Sequence, residues 1–298
     1  AGVIGSVYAG KLIEAGHDVT MLARGHRLSE LQRVGLLLEN AESGERNEFP
    51  VAAVSEPDAA RPYDVVLVPV RSGQIQSTLP ILVAMTDGSD VVFFGNTGTR
   101  GAELVRPLGR RAMFGFPAVG GTREGHLVKY ALISQQKTML GEFSGEFSPR
   151  AHRLEAVLKG AGFSVAISAH IEKWLMAHAA FVVPIAFALY GHDTDASRLA
   201  ADAGGVRTMV QATREGFRGL RTAGNTEVPL NLRALYLWMP ESFAVRYWRK
   251  VLSSPRGELW FAAHSRSATE EMRSLADDLL AEVRRTGRAA PALERLLA

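Results

Sequence analysis

Ala1-Gly2-Val3-Ile4-Gly5 opens the chain, a helix-like run follows to Gly16, and His17-Asp18-Val19-Thr20-Met21-Leu22-Ala23-Arg24 comes next. The pattern reads as a glycine turn, a helix and a strand, the phosphate-binding half of a Rossmann unit. Gly2 lets the backbone approach a pyrophosphate, and Gly5 lets the helix pack closely on the sheet. With Val3 and Ile4 they form the first turn, whose free N–H groups and dipole favour phosphate. The full fingerprint calls for a further glycine before Ala1 and an apolar strand before that. The chain begins inside the motif, so either the first strand is missing or truncated or the start is misplaced; without that strand the parallel sheet would lose a central member.

The end of the strand at Val19–Ala23 selects the nucleotide. An acid there holds a ribose 2′-hydroxyl, whereas an arginine accommodates a 2′-phosphate. The segment Ala23-Arg24-Gly25-His26-Arg27 has two arginines and no acid, which favours NADPH over NADH.

Two further strands set up the same edge. Asp64–Val70 and Val91–Phe94 contain continuous apolar runs, as strands covered on both faces do. The first is followed by Arg71 and a helix over Gln74–Met85, the second by Gly95-Asn96-Thr97-Gly98. Ligands of open α/β sheets sit beyond the carboxyl ends of the strands, so Arg24, Arg71 and Asn96 are candidate cofactor contacts. Between these lie a polar helix at Leu28–Val34 and a strand over Phe49–Val54. Later come strand-like segments at Arg111–Phe116, Val128–Ile133 and Lys137–Leu140, the last two read as an antiparallel extension, then a helix at Pro149–Lys159 and a strand at Phe163–Ile167.

The pattern turns helical near His170 and stays so. This places a Rossmann dinucleotide-binding domain at residues 1–169 and a helical substrate or dimerisation domain at 170–298. Pro184 is expected to kink or restart the first long helix, Ile171–Tyr190. Trp260–Arg285 reads as one long helix stopped at Gly287. The aromatic group Tyr236, Trp238, Phe243, Tyr247 and Trp248 reads as core or as a subunit contact.

Composition narrows the class. The 298 residues are 47% hydrophobic and 22% charged with a net charge of +3, ordinary for a globular chain with room for two domains. The basic residues are scattered singly, so no nucleic-acid surface is expected. With no cysteine, thiolate chemistry is excluded. No uninterrupted apolar run reaches the ~18 residues of a membrane span, and no signal peptide is seen, so a cytoplasmic location is the expectation. No His/Asp/Glu spacing points to a metal.

Taken together, the Gly2/Gly5 turn, Gly16-His17-Asp18-Val19 running to Arg24, the strand leading to Arg71, Asn96-Thr97-Gly98, Gly120-Gly121-Thr122-Arg123-Glu124-Gly125, and Gly287 with Pro291 resemble the ketopantoate reductase family. The resemblance implies an α/β Rossmann-type NADP-binding domain followed by an all-helical domain like the C-terminal domain of 6-phosphogluconate dehydrogenase. It also implies NADPH-dependent reduction of ketopantoate to pantoate, on the route to pantothenate, and a possible homodimer. By that resemblance Arg24 grips the 2′-phosphate, Arg71 takes the place of a lysine near the cofactor, and Asn96 lies beside the nicotinamide and the reacting carbonyl. Glu271 takes the place of a substrate-binding glutamate.

The segment Glu172-Lys173-Trp174 to Pro184 departs from the family. The family's general-acid lysine falls on Leu175 or Met176, and its two asparagines fall on Ala179 and Val183. Lys173 lies about 200° around the helix from Leu175. Ketone reduction needs a proton donor for the developing alkoxide. His178 is the titratable group within the apolar part of the helix, read either as that donor or as a core histidine. Glu271 lies seven residues after His264, which puts both on one face of a continuous helix; they either complete a site or form a solvated pair. Two functions remain open: reduction of a small 2-keto acid or related ketone, and NADPH binding without turnover by a sensor or partner-binding protein.

Overall fold

The computed structural model describes the chain apart from residues 59, 60, 86, 87, 98–100, 102, 104 and 105. The chain divides into two compact units, Ala1–Gly95 with Arg100–Ile171, and Glu172–Ala298 with Asn96–Thr99.

The first unit is α/β. Helix α1 (Val3–Glu14) leads into β1 (Thr20–Leu22), then α2 (Gly25–Val34). Strands β2 (Leu36–Asn40), β3 (Arg46–Phe49) and β4 (Ala52–Val54) follow. The stretch expected as one strand, Phe49–Val54, is therefore two. Pro50 has no N–H to give a ladder, and the chain leaves one sheet for another there. β5 (Val65–Val68), α3 (Ser72–Ala84), β6 (Asp90–Phe94) and β7 (Ala112–Phe116) come next. Strands β8 (Val119–Glu124), β9 (Leu127–Leu132) and β10 (Thr138–Gly141), helix α4 (Pro149–Gly160) and β11 (Val165–Ile167) complete the unit.

These strands form three sheets: β1-β4, β11-β10-β7-β6-β5 and β3-β2-β9-β8. β5, β6 and β7 run parallel, and β10 reverses against β7. β9 and β10 join different sheets, so the expected antiparallel pairing of these two segments does not form. Among the described residues β1 pairs only with β4, and β5 only with β6. β6, next to the central strand β7, is deeply buried, with Val91, Val92, Phe93 and Phe94 all at most 4% exposed. Tyr8 of α1 stacks on Phe163 at 4.2 Å, and its hydroxyl bonds Thr138 Oγ1 at 2.5 Å. That pairing satisfies the one polar atom the tyrosine brings into the core.

The second unit is helical and organised around α5 (Ile171–Tyr190). Ala177, Ala179, Ala180, Val183 and Leu189 are all fully buried. A helix apolar on every side belongs in the centre of a bundle, and here it is. It has the length and hydropathy of a membrane span, and 72% of that window is buried inside the protein. The helix runs through Pro184 without restarting. Around it lie α6 (Ala196–Ala201), α7 (Ala203–Thr222), α8 (Leu230–Arg233) and α9 (Glu241–Leu252). Then come α10 (Ala263–Ser267), α11 (Thr269–Arg285) and α12 (Pro291–Leu297).

The single helix expected over Trp260–Arg285 is interrupted. A π-helical stretch spans Gly257–Ala262, and Ala268 (φ −124°, ψ 30°) breaks the helix between α10 and α11. Gly287 at φ +69° ends α11, the left-handed stop a glycine supplies without strain. The aromatic group divides: Tyr236 and Trp248 are core, while Trp238, Phe243 and Tyr247 face solvent.

Candidate active site

The N-terminal turn of α1 is open. Gly2 precedes the helix without a side-chain cap, and the first intrahelical bond runs from Ser6 N–H to the Gly2 carbonyl at 2.9 Å. The N–H groups of Val3, Ile4 and Gly5 therefore have no intrahelical acceptor. A Cβ placed on Gly2 would meet nothing within 4 Å. A Cβ on Gly5 would stand 3.0 Å from Pro69 Cγ, so this glycine sets how closely α1 approaches the chain leaving β5. A Cβ on Gly95 would stand 3.3 Å from the Val70 carbonyl. The glycine turn, the chain leaving β5 towards Arg71, and Gly95 at the end of β6 thus lie close together.

The two arginines after β1 have different fates. Arg27 is buried, with Nη1 on Glu30 at 2.8 Å, Nη2 on Ser6 Oγ at 3.1 Å and Nε on the Ala1 carbonyl at 3.3 Å. Its hydrogen bond holds the Glu30 carboxyl below the usual range. Arg27 is therefore committed to joining α2 to α1. Arg24 caps α2 with an extended backbone and an exposed side chain. It has no hydrogen-bond or ion-pair partner among the described residues. The Arg27–Glu30 spacing of three residues was the available sequence signal for this buried pair.

Arg71 is exposed at the start of α3, where its backbone N–H donates to Gln74 Oε1 at 3.3 Å. Asn96 and Thr97 are only 4% and 5% exposed, yet Asn96 Oδ1 and Thr97 Oγ1 are buried with no hydrogen-bond partner among the described residues. A buried acceptor without a donor is costly, and here it directly follows a parallel strand. Gly98 of the same motif lies outside the described residues.

On α5 the chemistry is of another kind. His178 stacks on Trp174 at 5.3 Å and 10°, with Phe181 edge-on at 6.0 Å. These residues share one face, spaced four and three apart. Burial, aided by the charge of His264, pushes the imidazole down to about 3. At neutral pH His178 is uncharged, so the expected imidazolium proton donor is not available there. Leu175 and Met176, the two positions onto which the resemblance puts a lysine, and Ala179 and Val183, onto which it puts asparagines, are all buried. Lys173 points elsewhere, donating to the Gly224 carbonyl at 3.3 Å. Glu172, which the sequence reading passed over, is half-buried in the first turn of α5, and burial raises its carboxyl above the usual range.

Glu271 does not share a continuous helix with His264, because Ala268 intervenes. The same-face argument for the pair lapses. Glu271 lies in the first turn of α11, where the helix dipole favours an acid, and its charge is felt at the Tyr190 hydroxyl. No group of His, Asp or Glu suited to a metal occurs among the described residues.

Residues 1–145 match the family model described as "Ketopantoate reductase PanE/ApbA". A 2-dehydropantoate 2-reductase of Archaeoglobus fulgidus is 30% identical over 165 residues, 54% of this chain and 52% of that protein. Matches to curated relatives span 52% to 57% of their lengths. Among solved structures, a 2-dehydropantoate 2-reductase from Geobacter metallireducens superposes with a TM-score of 0.77 at 16% identity, covering 100% of this chain and 95% of that one. A D-mandelate dehydrogenase bound to NADH and anilino(oxo)acetate gives a TM-score of 0.75 at 14% identity, covering 100% and 94%. At such identities the superpositions speak for the shared two-domain fold.

Proposed function

We propose, for a chain whose residues 1–145 belong to the ketopantoate reductase family, that the protein is an NADPH-dependent reductase of a small 2-keto acid or related ketone. The observation that carries this reading is the α1 N-terminus, uncapped and bounded by Gly2, with Arg24 exposed after β1 and its neighbour Arg27 already paired. The residues present fit a dinucleotide. The backbone of Gly2, Val3, Ile4 and Gly5 would hold the pyrophosphate, and Arg24 the 2′-phosphate. Arg71 and Asn96, whose Oδ1 has no partner among the described residues, would serve the nicotinamide end. When bound, the reduced nicotinamide supplies the hydride. Asn96, through its side-chain N–H, would orient the carbonyl, and Glu271 would orient the substrate.

The proton must come from another group. His178, neutral and enclosed by Trp174 and Phe181, is not that source. Glu172, raised by burial, is the acid on α5 whose shift favours that role. The substrate side has lost the lysine and asparagines of the family, so we place ketopantoate beside aromatic and branched 2-keto acids as candidates. A second reading, NADPH binding without turnover, is favoured by the apolar core at Leu175, Ala179 and Val183.

The experiment is NADPH binding by fluorescence, run beside NADPH oxidation with ketopantoate and a panel of 2-keto acids. Binding is expected, with turnover on one of the panel. Arg24→Glu should abolish NADPH binding in a folded protein; unchanged affinity would remove the NADP assignment. Binding without turnover across the panel would establish the second reading. Loss of turnover in Glu172→Gln with NADPH affinity intact would assign the proton.

A further inference from the structure

A groove of about 700 Å³ opens in the helical unit where the C-terminal end of α5 meets α11 and α12. Small-molecule sites occupy roughly 300–1,000 Å³. Phe187, Leu280 and Leu296 form its apolar side, and Tyr190, Arg273 and Asp277 its polar side. The Tyr190 hydroxyl donates to the Ser265 carbonyl at 3.0 Å, and the charge of Arg273 reaches that phenol.

Arg273 and Asp277 stand one turn apart on α11, a spacing at which opposite charges normally pair. Arginines nearby are paired: Arg266 with Glu258, Arg284 with Glu294, Arg285 with Glu282. Arg273 and Asp277 are exposed and have no ion-pair partner within 4.0 Å among the described residues. The rim of the groove is built under strain. Asp193 and Thr194 both take left-handed backbone, at φ +54° and +58°. A β-branched residue rarely does so, and such strain persists only where the surroundings hold it. Arg266 fixes the Thr194 carbonyl at 3.1 Å, and Arg198 pairs with Asp193.

The charges decide what fits. Asp277 repels a simple anion, and Arg273 repels a simple cation. A molecule with both charges on neighbouring atoms and an apolar body satisfies every wall. We propose that this groove binds a free α-amino acid with a large apolar side chain, its carboxylate on Arg273 and its ammonium on Asp277. The side chain lies on Phe187, Leu280 and Leu296. Tyr190 is twelve residues along α5 from His178, about 18 Å, so this groove is separate from the His178 end of the helix; Glu271, whose charge reaches Tyr190, is not among its lining residues.

The test is titration calorimetry of the full chain with L-phenylalanine, beside 3-phenylpropanoate and phenethylamine, which each lack one charge. Saturable binding of L-phenylalanine is expected, with both analogues about tenfold weaker or worse. Arg273→Gln and Asp277→Asn should each weaken it about tenfold or more, roughly 1.4 kcal/mol, with unchanged melting temperature since both side chains are exposed. No saturation by about 10 mM, where affinity is below about 3 kcal/mol, would overturn the proposal. So would equal affinity for 3-phenylpropanoate, or an affinity that both substitutions leave unchanged.

Discussion

The first turn of α1 and the middle of α5 handle polar groups in opposite ways. At α1 the backbone donors face open space: Gly2 offers no side chain, and nothing stands within 4 Å of where one would be. At α5 the one titratable side chain of the apolar stretch is sealed between Trp174 and Phe181 and held neutral. An open turn keeps its groups for a ligand, whereas a sealed histidine spends its surroundings on packing. The difference shows that exposed backbone donors and enclosed side chains are set by different features of a sequence. The first depends on backbone, which many sequences supply. The second depends on particular side chains, here Trp174, His178 and Phe181.

Substitutions at both places test this contrast. The largest expected effect is at Arg27, which lies beside the open turn and yet is buried. Arg27→Met leaves Glu30 buried without its partner and should cost about 3 kcal/mol in urea denaturation. Arg24→Met should leave stability unchanged and lower only NADPH affinity. Similar losses in both variants would erase the distinction drawn between the two arginines.

Gly2→Val comes next. Gly2 has an extended backbone (φ −80°, ψ −168°) that valine adopts freely. The melting temperature should hold, while NADPH affinity falls about 100-fold, near 2.7 kcal/mol. Retained affinity would show that the turn does not receive phosphate.

His178 makes stability depend on pH with a defined sign. Its folded value, about 3, lies below the ordinary 6.5. Below pH 6.5 the unfolded chain takes up a proton that the folded protein refuses, so stability is lost as pH falls towards 3. The slope should approach about 1.4 kcal/mol per pH unit within that window, and nothing is lost above it. His178→Leu should flatten the slope measured by denaturation between pH 6 and pH 4; an unchanged slope would mean that the imidazole is not sealed.

The smallest effect is expected at Tyr236, whose buried hydroxyl has no partner among the described residues. Tyr236→Phe should be neutral or stabilising by up to about 1 kcal/mol. A clear loss in the melting curve would reveal a water bridging that hydroxyl.

Much of this was legible along the chain. The glycine turn, the apolar strands at Val65–Val68 and Asp90–Phe94, and the all-apolar α5 announce themselves through spacing and run length, because local backbone and burial dictate them. The break at Ala268 carries no such sign, since alanine is the best of helix formers and only packing interrupts it there. The division at Pro50 follows from proline chemistry, though the flanking residues suit a single strand.

The two-domain layout, the glycine turn and the lack of an acid after β1 can be read from the chain alone. These rest on residue types whose conformations or charges are intrinsic. Only the tertiary structure decided which arginine is free, that His178 is neutral, and that Glu271 and His264 are on separate helices. Each of these depends on what surrounds a side chain, through desolvation, pairing or helix continuity, and no spacing along the chain encodes the neighbours that folding brings.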